Sequence, residues 1–176
     1  MTTISRREVA GHALAGLACV AMLAGYAVDD RQLTIYRFSS DQWNILPILL
    51  KSLHPALYTH DLFAGDLHAT RQYIPAYVST AMWFVRAAGD LMRGQAWFHV
   101  STLAAFFTLW YLLFHRITRN AWVSLLMALI TRGVLFPPGN EVWGAGDIYY
   151  FLPRTVFAAL LPLSLLACLR AIRGGT

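Results

Sequence analysis

"YIPAYVSTAMWFVRAAG", residues 73–89, decides how often this chain crosses a membrane. The stretch is moderately apolar, holds Pro75 and carries Arg86 near its end. Counted as a span, it sends the basic turn "HRITRN" (115–120) and the basic tail "RAIRGGT" (170–176) to the outer face. Lys and Arg concentrate in cytoplasmic loops, so that arrangement runs against the charge preference. Left out of the count, it leaves Arg6, Arg7, Arg116, Arg119, Arg170 and Arg173 together on the cytoplasmic side. The sequence therefore predicts that 73–89 lies on the outer membrane surface. Its apolar residues Ile74, Tyr77, Val78, Met82 and Val85 recur at helical spacing, with Ser79, Thr80 and Arg86 between them. A helix of this kind rests in the interface with its apolar side in lipid. Residues 42–53 read the same way. Trp43, Leu46, Leu50 and Leu53 form a stripe with Ile45 and Leu49 beside it, and Pro47 is expected to bend the helix.

The membrane reading itself comes from composition. Of 176 residues, 57% are hydrophobic and 13% charged, whereas soluble domains carry about 25% charged residues. A helical span needs ~20 mostly apolar residues. Four stretches qualify, at about 9–28, 96–114, 121–138 and 153–170, the last with Pro162 inside it. The expected fold is an all-α membrane protein forming a single domain over 1–176. It has four transmembrane helices, two surface-lying helices in a long first outer loop (29–95), a second outer loop (139–152) and both termini in the cytoplasm.

The net charge of +5 does not point to nucleic acid, because the arginines are spread along the chain and flank apolar segments. Ser5-Arg6-Arg7 resembles a twin-arginine signal, but Arg6 and Arg7 read better as the cytoplasmic anchor of a first span. Cys19 and Cys168 fall inside spans, form no CxxC and are expected to pack. His12 and His99 also lie in spans, near opposite faces, which argues against a bis-His haem. No acid falls within a span, so an ion or proton path is disfavoured.

This topology puts every acid but Glu8 on the outer side. "SSDQWNILPILLKSLHPALYTHD" (39–61) follows the first span. Ser39, Ser40 or Asp41 can cap a helix starting near Gln42. The other reading makes Asp41 a general base or metal ligand at the membrane surface, and both stay open. His54-Pro55 would end this helix, and Tyr58 would anchor at the interface. "THDLFAGDLHATRQ" (59–72) offers His60, Asp61, Asp66, His68 and Arg71. Imidazole and carboxylate together suit a divalent metal, but the spacing fits no metal motif and no metal is expected. "PPGNEVWGAGDIYYFLPR" (137–154) is rich in Gly and Pro and reads as an irregular, shaped loop carrying Glu141 and Asp147. Trp143, Tyr149 and Tyr150 are either interfacial belt residues or stacking surfaces for a sugar or an isoprenoid. Arg132 and Arg154 flank this loop, as snorkelling anchors or as ligands for a lipid phosphate. Arg71, Arg132, Arg154, Trp143 and Tyr149 are the substrate-binding candidates.

The layout resembles the N-terminal portion of the C superfamily of membrane glycosyltransferases, which includes the protein O-mannosyltransferases and the aminoarabinose transferases. In that superfamily the first outer loop carries an acidic motif. The 39–61 stretch is similar to versions in which an acid precedes an "LP" helix and a "P-x-LY-x-x-D" tail follows. The resemblance implies that Asp41 is a catalytic acid or base and Asp147 a second site acid. It further implies a polyprenyl-phosphate-linked sugar as substrate and the bacterial inner membrane as location. Gln42 stands where a second acid often stands, and the resemblance covers only the front of the superfamily's larger module. A truncated, inactive form is therefore part of the expectation. The alternative is a small non-enzymatic membrane subunit whose outer loops bind another membrane chain. Membrane lipid is a partner on either reading. The sequence specifies no cofactor.

Overall fold

The computed structural model describes residues 6–28, 40–62, 64–66, 75–131 and 153–174. Among them are six helices and no strand: α1 (Arg6–Val28), α2 (Ser40–Leu53), α3 (Pro75–Ala88), α4 (Leu91–Thr118), α5 (Ala121–Thr131) and α6 (Pro153–Gly174). Two of them, Leu91–Thr118 and Thr155–Ile172 within α6, are long and apolar enough to cross a membrane. α5 is a shorter apolar helix of 11 residues; the remainder of the expected span, 132–138, lies outside the described residues.

Local chemistry sets the helix boundaries. α2 stops at Leu53, where His54-Pro55 follows and turns begin, because the pyrrolidine ring disfavours a helical residue before it. α3 ends on Gly89, whose φ of 70° is a left-handed conformation that costs glycine nothing. The Gly89 amide closes the helix on the Val85 carbonyl at 2.9 Å. The Asp90 carboxylate then accepts the Arg93 amide at 2.8 Å and caps α4. α4 and α5 are joined by Arg119 and Asn120 alone. Arg119 takes a φ of 53° and donates its amide to the His115 carbonyl at 2.9 Å. The Asn120 side chain accepts the Trp122 and Val123 amides at 3.0 and 3.2 Å. Buried Ser124 joins the same turn, donating to the Asn120 carbonyl at 2.6 Å and lying 3.0 Å from the Thr118 hydroxyl.

The helices divide into two compact units. The first holds α1, the part of α4 from Val100 onward, α5 and α6 from Arg154. Its core is Ala15, Phe107, Tyr111, Leu125 and Ala128, with Cys19, Trp110 and Phe114 packed against it. Gly11 of α1 lies directly on Ala121 of α5, so close that a Cβ at Gly11 would sit 2.5 Å from the alanine methyl. Small residues permit this approach, which is how helices associate where lipid already satisfies apolar surface. The Trp110 indole donates to the Ala158 carbonyl at 3.1 Å and ties α6 to α4.

The second unit holds α2, α3 and the start of α4 up to His99. Here the packing departs from expectation in two ways. The apolar side of 73–89 was expected to face lipid. Instead Tyr77, Ala81, Met82 and Val85 of α3 are buried in the unit. Tyr77 and Phe84 meet Phe98 with ring centroids 5.2 and 5.1 Å apart. In α2 the buried apolar residues among those described are Ile45, Ile48 and Leu49, while Leu46, Leu50 and Leu53 of the expected stripe are only half-buried. Residues 45–50 are all apolar, so periodicity does not select a face; contact with α3 does.

Candidate functional site

The residues read from the sequence as a site fall largely outside what the structure describes. Arg71, Arg132, Trp143, Asp147 and Tyr149 lie outside the described residues, as do His68, Glu141 and Tyr150. Asp41 is placed by its backbone in the first turn of α2, and Arg154 by its backbone in the first turn of α6. The side chains of both lie outside the description, so their separation and partners are not part of the geometry.

The stretch 54–66, expected in the first outer loop, is described in part and shows what its polar groups do. The Asp61 carboxylate accepts the Ala64 amide at 2.6 Å, and the Asp61 carbonyl accepts the Gly65 amide at 2.9 Å. A Cβ at Gly65 would collide with the Asp61 carbonyl oxygen, so the turn requires glycine there. Buried Lys51 on α2 reaches across to this segment and donates to the Leu57 carbonyl at 2.7 Å. His54, His60, Asp61 and Asp66 are all exposed. Among the described residues no three His, Cys, Asp or Glu side chains gather in a way that could hold a metal. Nearby on α3, burial pushes the Tyr77 phenol well above its ordinary pKa, so this hydroxyl stays protonated at any physiological pH.

A different cluster is assembled in the first unit. His12 of α1 places Nδ1 2.5 Å from the Tyr111 hydroxyl of α4. The His115 ring, one turn further along α4, lies at 4.8 Å from the His12 ring, centroid to centroid, with the planes at 81°. Tyr111 and His115 are parallel at 6.0 Å. The Tyr111 hydroxyl and His12 Nδ1 share one proton in a hydrogen bond whose direction follows the tautomer. His115 Nδ1 is buried and has no hydrogen-bond partner among the described residues.

From the sequence, His12 and His99 are the two histidines placed within spans, near opposite faces. The signal for the actual pairing was present in the topology. His12 follows Arg7, and His115 precedes Arg116, so two antiparallel helices with basic ends on one side carry these histidines at similar depth.

The same contacts orient the unit. His12 meets His115 near the end of α4, and Gly11 meets Ala121 at the start of α5. The start of α1, the end of α4 and the start of α5 therefore share one end, which carries exposed Arg6, Arg7, Arg116 and Arg119. Away from that end large apolar side chains stand uncovered, among them Leu17 (64% exposed), Val20 (61%), Leu126 (54%) and Phe157 (68%). Only 17% of the apolar window of α6 is buried. The core helix of a soluble protein would be mostly covered, and apolar surface on this scale calls for lipid or a partner.

Comparison of the chain with protein-family models, with curated proteins and with solved structures finds no match.

Proposed function

We propose that this chain is an integral membrane protein of four spans that handles a polyprenyl-phosphate-linked sugar at the outer face of the bacterial inner membrane. The observation that supports the membrane arrangement is the gathering of Arg6, Arg7, Arg116 and Arg119 at one end of a unit whose sides expose apolar side chains. With that end in the cytoplasm, the expected loops 29–95 and 139–152 lie outside. On this reading Asp41 orients or deprotonates the acceptor hydroxyl, with Asp147 as a second acid. Arg71, Arg132 and Arg154 hold the donor phosphate through charge-assisted hydrogen bonds. Trp143 and Tyr149 stack on the sugar or the isoprenoid. Asp41 stands in the first turn of α2, where a helix-capping role and this one are separated only by the test below.

One observation favours the second reading, a non-enzymatic subunit whose outer segments bind another membrane chain. Two outer acids that the structure describes, Asp61 and Asp90, accept backbone amides and shape turns. On this reading such acids hold the shape of the outer segments.

A photoreactive polyprenyl-phosphate sugar, added to membranes containing the chain, separates the two readings. The glycosyltransferase-like reading expects labelling that unlabelled polyprenyl phosphate displaces and that falls several-fold in the Arg132→Ala, Arg154→Ala double variant. In Asp41→Asn the label should be retained, since Asn keeps the shape and caps about as well as Asp. Labelling that excess unlabelled lipid does not displace would end this reading in favour of the subunit.

A further inference from the structure

We propose that His12 and His115 form a pH-sensitive latch between α1 and α4, closed while at most one of the two imidazoles is charged and released when both are. This goes beyond the reading above and rests only on packing within the first unit. Three observations carry it. The two rings are 4.8 Å apart, close enough for two positive charges to repel even with His12 exposed to solvent. The imidazolium of His115 must carry a proton on Nδ1 whatever tautomer it holds when neutral. That atom is buried without a hydrogen-bond partner among the described residues, so the added N–H finds no acceptor in the closed packing. Finally, His12 Nδ1 also lies 2.5 Å from the Tyr111 hydroxyl, one turn before His115 on the same helix. Both contacts tie His12 to one face of α4, so leaving that face gives up the hydrogen bond as well.

The neighbouring groups leave the histidines as the elements that change. Glu8 lies one turn before His12 on α1, Tyr111 faces both rings from α4, and Arg116 and Arg119 close the end of α4. α5 has no ionisable side chain within Ala121–Thr131, and on α6 the described charged side chain is Arg170, which is exposed. Arginine, carboxylate and phenol ordinarily keep their charge state between pH 5 and pH 8, the range in which imidazoles titrate. The latch clamps α1 near its beginning. Release would free the first turns of α1 from α4, while the deeper contacts of Ala15 with Phe107 and Tyr111 remain in the core.

The test uses the full chain in detergent, with Cys19→Ser and Cys168→Ser, and nitroxide labels at Val9→Cys in the first turn of α1 and Ile117→Cys at the end of α4. Both label positions are exposed. Electron-spin distance measurements at about pH 8 and about pH 5 should show a shift toward longer separations at the acid value. His12→Gln and His115→Gln each remove one of the two charges, and each should abolish the shift. The exposed His12 tolerates substitution even if His115→Gln folds poorly, so one variant always reports. Identical distance distributions at the two pH values overturn the proposal. So does a shift that persists undiminished in His12→Gln.

Discussion

Gly11 on α1 and Ala121 at the head of α5 meet backbone to methyl, with no room for a side chain on the glycine. That contact and the His12–His115 contact bring three helix ends to a common level. Together they put four arginines at one end of the unit, which the sequence assigned to one side of a membrane on charge grounds alone.

The Gly11 contact predicts a reversal of ordinary helix propensity. Alanine in place of a mid-helix glycine normally stabilises by about 0.5–1 kcal/mol. Gly11→Ala should instead destabilise, because its Cβ overlaps the Ala121 methyl. Overpacking of this kind costs about 1–3 kcal/mol. Gly16 faces open space, so Gly16→Ala should be neutral or slightly stabilising. Unfolding of both variants in detergent, followed by circular dichroism, checks the opposite signs.

Gly94 predicts the same effect in the second unit, and more severely. A Cβ there would run into the backbone of Val85 on α3, which cannot rotate away as a side chain can. Gly94→Ala should cost at least as much as Gly11→Ala and should separate α3 from α4. Its readout is the emission of Trp83 and Trp97 on those two helices, compared with the parent chain in a background where the other tryptophans are phenylalanine.

Asn120 caps α5 through two amide bonds. Asn120→Ala should lose about 0.5–2 kcal/mol, while Asn120→Asp should retain most of the stability because either oxygen accepts the same amides. Equal unfolding midpoints for the alanine variant and the parent would show that the turn is held by Ser124 and Thr118 instead.

The arrangement of spans is tested by reporter fusions after residues 90, 118, 145 and 176. The expected pattern is outside, inside, outside and inside. An outside result at 118 would make 73–89 a true span and would place the arginine-rich end of the first unit on the wrong face.

Proline, glycine and cap residues made the helix limits legible in advance. His54-Pro55 closed α2, and the expected spans at 9–28, 96–114 and 153–170 each sit inside a helix. The Asp90 and Asn120 caps have a local signal as well, since each stands just before an apolar run. These signals are local: a ring that forbids a torsion, or an oxygen that accepts the next amides, acts within one turn. Which faces meet is another matter. In α2 six successive apolar residues, 45–50, erase the periodicity that would name a buried side. α3 showed its apolar stripe clearly, yet the stripe alone does not distinguish lipid from protein as its cover. Only packing against α2 and Phe98 decided that. The pairing of His12 with His115 likewise joins residues 103 positions apart in the sequence, through helices whose depth and rotation are set by close contacts such as Gly11 on Ala121. Charge distribution suggested which helix ends belong together, because each arginine carries its cost of crossing a membrane with it. The meeting of particular side chains came from tertiary structure, because dispersion and steric fit exist only between surfaces already in contact.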